Sequence, residues 1–201
     1  MVRSTPKTKE PRASGAVVRN GESAVAKSAP GGDGRELLDE NEFWRFSLGV
    51  YSQNEVANEC LSLQEALGLD VNILLFCAWL GARGVVLRRE LIEAACQVTA
   101  SWHDNIVGPL RRVRQQLKAD GNKFKSLREK VKTLELETEQ IEQAMLFAYA
   151  QSIQESSASM RSDDAIAQNV SEYIAMTAGS MSSPDQFAAP VLIRAVQRMT
   201  L

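Results

Sequence analysis

The chain has 201 residues, of which 44% are hydrophobic and 24% charged, and its formal net charge is −2. These values fit one globular domain with tails, or at most two small domains. Three cysteines, six prolines and twelve glycines exclude disulfide-scaffold, proline-rich and collagen-like classes. The main apolar run, residues 71–82, is well short of the ~20 residues that a membrane span needs. The first thirty residues also lack the apolar core of a signal peptide, so we expect a cytoplasmic protein.

The N-terminal region changes in composition near residue 39. Residues 1–38 are rich in Ser, Gly, Pro, Lys and Ala without an apolar face, which predicts a disordered tail. From residue 39 onward, apolar residues at three-to-four spacing predict a first helix through Phe43, Trp44 and Val50. Ser52 and Glu55 have the spacing of a capping box, which predicts the start of a second helix that ends at Gly68. Its predicted inner face is Val56, Cys60, Leu63 and Leu67.

A third helix is apolar on all sides, which places it at the centre of the predicted core. Asp70 can cap this helix, and Gly81 and Gly84 are expected to end it. A fourth helix has a predicted buried stripe of Leu87, Leu91, Ala94, Val98 and Trp102. Pro109 marks the start of a fifth helix. We therefore expect a helical core over residues 39–118.

Residues 119–156 form a predicted long, charged helix. The chain is expected to break at residues 120–122, Asp-Gly-Asn, before the helix begins. Its apolar positions then alternate at spacings of three and four, a period of 3.5 that is typical of a coiled-coil seam. The seam consists of Phe124, Leu127, Val131, Leu134, Thr138, Ile141, Met145 and Ala148. A helix of this length is expected to project from the core or to pair with another helix.

The remaining residues, 157–201, are predicted to hold two C-terminal helices. Ser162 can cap a helix whose apolar face contains Ile166, Val170, Tyr173 and Ile174. A second capping signal, at residues 183–186, precedes another helix, which Pro190 is expected to kink or restart. No segment alternates apolar and polar residues at period two, so the predicted fold class is all-α, a helical bundle core with a long heptad-patterned helix.

Part of the chain resembles a bacterial family that carries only a domain-of-unknown-function label. The resemblance rests on Asp70-Val71-Asn72 followed by Leu75-Phe76-Cys77, Trp79-Leu80 and Gly84, and on the pattern Glu135-Leu136-Glu137 with Glu142-Gln143. It covers roughly residues 40–150. The family has no assigned activity, cofactor or catalytic residue, so the resemblance implies a helical protein and no site.

Few residues suggest chemistry. His103 is the single histidine, and its neighbour Asp104 points about 100° away on a helix, so we interpret it as a surface residue near a helix end. The three cysteines lie in apolar stripes and are interpreted as core thiols. Glu135, Glu139 and Glu142 share one helix face, but no Glu-x-x-His pair accompanies them, so a solvated or partner-facing stripe is favoured over a metal site. We expect neither a cofactor nor a metal.

The charges invert along the long helix, which suggests an interface. Basic residues fill the first half and acidic residues the second, so two such helices laid antiparallel would place opposite charges side by side. The hypothesis is a non-enzymatic interaction module that binds itself or another helical protein through the seam. The seam residues of this interface are Phe124, Leu127, Val131, Leu134, Ile141 and Met145. The other possibility is that the seam packs within the chain on residues 109–118, which would require acidic neighbours for the arginines there.

The basic stretch supports an alternative function, the binding of nucleic acid or another polyanion. The candidate contacts are Arg111, Arg112, Arg114, Lys118, Lys123, Lys125, Arg128, Lys130 and Lys132. A sequence pI of about 5.6 and the absence of a nucleic-acid-binding motif argue against it. A further alternative, an enzyme or an apolar-ligand carrier built around Trp79, remains open because an all-α fold does not fix function.

Overall fold

The computed structural model describes residues 41–119, 121–153, 161–179 and 187–199, and these ranges are α-helical without a β-strand. The predicted all-α class is therefore confirmed. The predicted disordered tail and the capping signal at residues 183–186 lie outside the described residues. The helices are α1 (Glu42–Tyr51), α2 (Val56–Leu67), α3 (Val71–Ala82), α4 (Arg89–Trp102), α5 (Gly108–Ala119), α6 (Lys125–Ala150), α7 (Ser162–Ala178) and α8 (Pro190–Met199).

Helix α3 is the centre of the bundle, as its sequence predicts. Every residue from Val71 to Gly81 is buried, and helices α1, α2, α4, α6, α7 and α8 all pack against it. The Asp70 carboxylate caps the helix by accepting a hydrogen bond of 2.8 Å from the backbone N–H of Asn72. Because the helix has no polar face, its neighbours supply the apolar surface that stabilises it.

Helix α7 lies closely against α3, so the C-terminal helices belong to the bundle. At Gly81 a Cβ atom would lie 2.5 Å from the Cα atom of Ile166, and only a glycine allows this approach. Gly81 is thus a residue of the helix contact, and the predicted helix stop is also confirmed, because α3 ends at Ala82 and Gly84 follows with a positive φ of 76°. The buried side chain of Asn169 joins the two helices by accepting from the N–H of Leu87 and donating to the carbonyls of Cys77 and Val85.

The connection between α1 and α2 corrects one sequence prediction. Helix α2 exists and buries Val56, Cys60 and Leu63 as expected. It does not begin with a capping box, because the Ser52 hydroxyl donates instead to the carbonyl of Gly49 at the end of α1. Glu55 has a positive φ of 64° and makes no side-chain cap.

Helix α4 buries a different stripe from the predicted one. Ile92, Ala95 and Thr99 face the core, whereas Val98 is exposed. The predicted spacing was helical, but the predicted buried face was shifted by one position along the sequence. The apolar spacing fits both faces of the helix, so it could not decide which of them is buried.

Helices α4 and α5 are joined by a π-helical turn, His103–Val107, in which the N–H of Gly108 donates to the carbonyl of His103. The sequence predicted a new helix start at Pro109. Proline has no N–H, and its ring crowds the carbonyl four residues earlier, so a wider turn just before Pro109 relieves that clash.

Helices α5 and α6 form a helical hairpin. The chain reverses at Gly121, which has a positive φ of 74°, and passes through a short 3₁₀ turn, Gly121–Phe124. The predicted break is confirmed. Helix α6 then returns along α5 and continues into the bundle, where Leu146 is fully buried.

The last helix is capped by a residue from another helix. Both oxygens of the Glu59 carboxylate, on α2, accept hydrogen bonds from the N–H groups of Val191 and Leu192. Pro190 is the first residue of α8, where its missing N–H costs nothing. Among the described residues, no helix is long and apolar enough to cross a membrane.

Candidate functional site

A charged triad lies where α3, the π-helical turn and α6 meet. The Nδ1 atom of His103 is 3.0 Å from Oδ2 of Asp70 and 3.0 Å from Oε1 of Glu142. Hydrogen bonds to the two carboxylates raise the pKa of His103 to about 10, so the imidazole is protonated at neutral pH. Burial raises the pKa of Glu142, and its hydrogen bond to His103 opposes that shift.

The triad corrects two sequence interpretations. His103 is a half-buried partner of two carboxylates and not a freely solvated surface residue. The acidic stripe on α6 is not solvated either, because Glu142 is fully buried and Glu135 is 4% exposed. Neither contact partner of His103 is its sequence neighbour Asp104.

A chain of amide groups extends from the triad through the core. The Asn72 side chain donates 2.6 Å to Oε2 of Glu142, and its Oδ1 accepts 2.8 Å from Nε2 of Gln143. The buried Asn72 side chain is therefore satisfied by hydrogen bonds to the neighbouring helix α6. Gln143 uses its Nε2 atom in this contact, and its side-chain oxygen, Oε1, has no hydrogen-bond partner among the described residues.

A second charged cluster joins α5 to α6. Glu135 accepts hydrogen bonds from both Arg111 and Arg114, and Arg111 also donates 2.6 Å to Glu139. The hairpin therefore pairs the arginines of α5 with the acidic part of α6. Glu135 and Glu139 are thus the acidic neighbours that the arginines of residues 109–118 need if the seam packs within the chain.

A cleft of about 430 Å³ opens between α1, α2, α3, α5 and α6. Ser47 and Gln143 belong to its lining, and their buried atoms Ser47 Oγ and Gln143 Oε1 have no hydrogen-bond partner among the described residues. Burial raises the pKa of Tyr51 to about 12, so its hydroxyl stays neutral. The lining residues are Trp44, Ser47, Leu48, Tyr51, Leu61, Gln64, Val71, Asn72, Leu75, Arg111, Arg114, Lys132, Glu135, Leu136, Glu139 and Gln143.

Asp70, His103 and Glu142 are the described residues whose arrangement could hold a metal ion. One ligand atom from each lies within 4.8 Å of the others. Two carboxylates and one imidazole suit a divalent transition metal ion. Such an ion would have to replace the proton that His103 now shares with both carboxylates, so proton and metal would compete for the same atoms.

The predicted seam divides into two parts. Phe124, Leu127 and Leu134 are exposed, by 36%, 50% and 50% respectively. Val131 is buried, and Ile141 and Met145 are half-buried in the bundle. The large seam side chains that are open to solvent therefore lie in the first half of α6 and in the turn before it.

The nine predicted polyanion contacts also divide. Arg111 and Arg114 are bound to Glu135 and Glu139, and Arg128 pairs with the exposed Glu129. The other six have exposed side chains with no ion pair among the described residues. They are Arg112, Lys118, Lys123, Lys125, Lys130 and Lys132.

Two further sequence candidates lie in the core. Trp79 stacks on Phe43, with ring centroids 5.2 Å apart, and does not line the cleft. The thiols are free, and burial raises the pKa of Cys60 to about 12 and that of Cys96 to about 11, so they are poor nucleophiles.

Sequence reasoning missed the pairing of Asp70 and Glu142 with His103 and the unpartnered Oε1 atom of Gln143. The contacts of His103 join residues 33 and 39 positions apart, and local spacing carries no information about such pairs. One signal was present: Asp70, Asn72, Glu142 and Gln143 all belong to the motifs that carry the family resemblance.

No curated protein and no solved structure matches the chain. One family profile, described as "Protein of unknown function (DUF2390)", matches residues 42–146. This range runs from α1 to the buried part of α6, includes all members of both charged clusters, and covers more than half of the chain. The chain therefore belongs to the DUF2390 family.

Proposed function

We propose that this protein is a cytoplasmic, non-enzymatic interaction module that self-associates through the exposed side of its α5–α6 hairpin. The observation that carries the proposal is a set of large apolar side chains that the hairpin leaves exposed. Val113 on α5, Phe124 in the turn, and Leu127 and Leu134 on α6 are each at least 36% exposed. Several exposed large apolar side chains on one element are typical of protein-binding surfaces. We call these four residues, with the six unpaired cations around them, the hairpin surface.

Charge complementarity supports a second copy of the chain as the partner. Residues 111–132 contain nine basic and two acidic residues, whereas residues 41–107 contain four basic and eight acidic residues. Glu90, Glu93 and Asp104 are exposed along α4 and the π-helical turn and have no ion pair in the described chain. The proposed contact therefore places the hairpin surface of one copy on this acidic face of another.

The acidic half of α6 does not contribute to this contact. Glu135, Glu139 and Glu142 are bound within the chain to Arg111, Arg114 and His103. The antiparallel pairing of two whole α6 helices is therefore replaced in the proposal by a contact between hairpin and α4. Opposite charges at the rim of an apolar patch favour orientation and speed of association.

The first test is the solution mass by light scattering at 30 mM and 500 mM NaCl. We expect a dimer or larger assembly at low salt, which dissociates at high salt because screening weakens the charge contact. The double variant Leu127→Ser and Leu134→Ser should be monomeric with unchanged circular dichroism. The matched control is Leu48→Ser and Leu61→Ser, which removes similarly exposed leucines elsewhere. A wild-type monomer at low salt would contradict the proposal.

A charge swap tests the partner surface. Lys125→Glu with Lys130→Glu should abolish association, and Glu90→Lys with Glu93→Lys should do the same. Mixing the two double variants should restore a hetero-association, because the reversed hairpin of one then faces the reversed α4 of the other. If mixing restores nothing while both variants remain folded, α4 is not the partner surface.

Polyanion binding is the second candidate, and the six exposed, unpaired cations of the hairpin surface favour it. The test is fluorescence anisotropy of a labelled 20-nucleotide DNA at 25 to 200 mM NaCl. Binding through six phosphates predicts a log–log salt slope of about −4 to −5. The variant Lys125→Glu with Lys130→Glu should reduce the slope, and no binding at 25 mM NaCl would exclude this function.

A further inference from the structure

The cleft contains two buried hydrogen-bonding atoms that nothing in the described chain satisfies. Ser47 on α1 and Gln143 on α6 are each 3% exposed, and both line the cleft. Ser47 Oγ and Gln143 Oε1 have no hydrogen-bond partner within residues 41–119, 121–153, 161–179 and 187–199. A buried polar atom without a hydrogen bond destabilises a folded protein, and such atoms mark places where a ligand or water completes the bonding.

The hydrogen bonds from Glu142 through Asn72 to Gln143 decide whether the unpartnered atom of Gln143 is a donor or an acceptor. The NH₂ group of Asn72 donates to Oε2 of Glu142, whose other oxygen is bound by His103. The Asn72 oxygen then faces Gln143, whose NH₂ group donates to it. The unpartnered atom of Gln143, a residue that lines the cleft, is consequently its carbonyl oxygen, an acceptor.

The strongest donors around the cleft are already engaged. The guanidinium groups of Arg111 and Arg114 are bound to Glu135 and Glu139. Lys132 is an exposed donor of the lining. Gln143 Oε1 can only accept a hydrogen bond, and Ser47 Oγ can accept as well as donate, so an N–H-donating head on a ligand would satisfy both atoms.

The rest of the lining is largely apolar. Trp44, Val71 and Leu75 are buried, and Leu48, Leu61 and Leu136 are half exposed around them. A volume of about 430 Å³ lies in the range of small-molecule sites, ~300–1,000 Å³. An apolar cleft with a few convergent polar atoms is the usual composition of such a site.

We propose that this cleft binds a small molecule with an apolar, ring-sized body and an N–H-donating head, which bonds to Gln143 Oε1 and Ser47 Oγ. This inference does not rest on the proposed self-association, although Lys132 belongs both to the hairpin surface and to the lining of the cleft. The head is an amide or an ammonium group, since both donate N–H bonds. The experiment separates these two heads.

The test uses the full chain and three probes that share a benzyl body. They are 2-phenylacetamide, which donates two N–H bonds, phenethylamine, which is an ammonium, and N,N-dimethyl-2-phenylacetamide, which has no N–H. The indole N–H resonances of the three tryptophans report binding, because Trp44 lines the cleft while Trp79 and Trp102 do not. We expect Trp44 to shift with at least one N–H donor and the dimethyl probe to bind at least fivefold more weakly.

Variants separate binding from stability. Ser47→Ala removes the unpartnered hydroxyl without breaking a hydrogen bond of the free protein, so the thermal midpoint should stay the same or rise. Loss of one hydrogen bond should weaken binding of the preferred probe about fivefold. The matched control Ser62→Ala, an exposed serine whose hydroxyl donates to Asn58, should bind like the wild type.

The outcomes are decisive in both directions. Binding of the amide and not the amine assigns a neutral head, and the reverse assigns a cationic head next to Glu139. Equal binding of the dimethyl probe, unchanged binding by Ser47→Ala, or no Trp44 shift with any probe at 10 mM would each overturn the proposal.

Discussion

At Gly81, α3 and α7 approach so closely that single atoms matter. The hypothetical Cβ atom would lie 2.5 Å and 2.7 Å from backbone atoms of Ile166, which cannot move aside alone. At Gly49 the corresponding atom would lie 2.9 Å from the end of the flexible Met199 side chain. The two glycines are both helical, so they differ mainly in what surrounds them.

These surroundings predict opposite effects of the same substitution. Gly81→Ala should destabilise the protein by about 1–3 kcal/mol through overpacking against backbone. Gly49→Ala should be neutral or stabilising by up to ~1 kcal/mol, because alanine favours the helix and Met199 can rotate away. Thermal unfolding followed by circular dichroism measures both, and equal midpoints for the two variants would contradict the close helix contact.

His103 predicts a pH dependence of stability. Its pKa of about 10 in the folded protein exceeds the usual 6.5 because of Asp70 and Glu142. The folded state therefore holds one more proton than the unfolded state between these values, so this contribution is complete below pH 6.5 and is lost as pH rises through 10. The slope is at most about 1.4 kcal/mol per pH unit.

The measurement is direct because the chain has one histidine. The C2–H proton resonance should not titrate near pH 6.5 but move only toward pH 10. Glu142→Gln should shift the midpoint down, since one of the two carboxylates is then neutral. A wild-type midpoint near 6.5 would show that the triad does not form.

At the scale of elements, the α5–α6 hairpin depends on one buried carboxylate. Glu135 is 4% exposed and holds both Arg111 and Arg114. Without it the two guanidinium groups would face each other with only Glu139 to balance them. The pairing of basic α5 with acidic α6 thus sets how the hairpin closes.

We expect Glu135→Ala to destabilise the protein by roughly 2 kcal/mol, less than a fully buried pair because the arginines are partly exposed. Hydrogen exchange should increase in α5. The control Glu137→Ala, an exposed residue of the same helix, should stay within about 0.5 kcal/mol of wild type. Unchanged exchange in α5 after Glu135→Ala would show that apolar contacts alone hold the hairpin.

The accuracy of the sequence predictions follows the range of the interactions. The central position of α3, its Asp70 cap, the break at Gly121 and the buried face of α2 depend on local pattern, and all are confirmed. The phase of α4 and the contact of Gly81 with α7 depend on which neighbour packs there, so the local pattern gave the wrong phase for α4 and did not reveal the contact of Gly81. The site escaped prediction for the same reason, because Asp70, His103 and Glu142 come from three distant segments.

At the scale of the whole molecule, Asn169 joins three segments. Its side chain binds the carbonyl of Cys77 in α3 and both Val85 and Leu87 in the loop before α4. All of these contacts link residues more than 80 positions apart. The Asn169 side chain therefore binds α7 to the part of the chain that matches the family profile.

Asn169→Ala should cost about 3 kcal/mol, because several buried backbone groups lose their partner at once. The neighbouring Gln168→Ala, at an exposed position, is the control and should have little effect. Urea unfolding gives both values. A cost below 1 kcal/mol would mean that water replaces the side chain at this position.

The π-helical turn has a consequence for how related chains can vary in length. The turn contains one residue more than an α-helical path would need, and it absorbs that residue locally, so α5 keeps its rotational phase. Deleting one residue there would restore an α-helical turn and leave Arg111 and Arg114 next to Glu135 and Glu139. A relative one residue shorter between His103 and Gly108 can therefore keep this cluster.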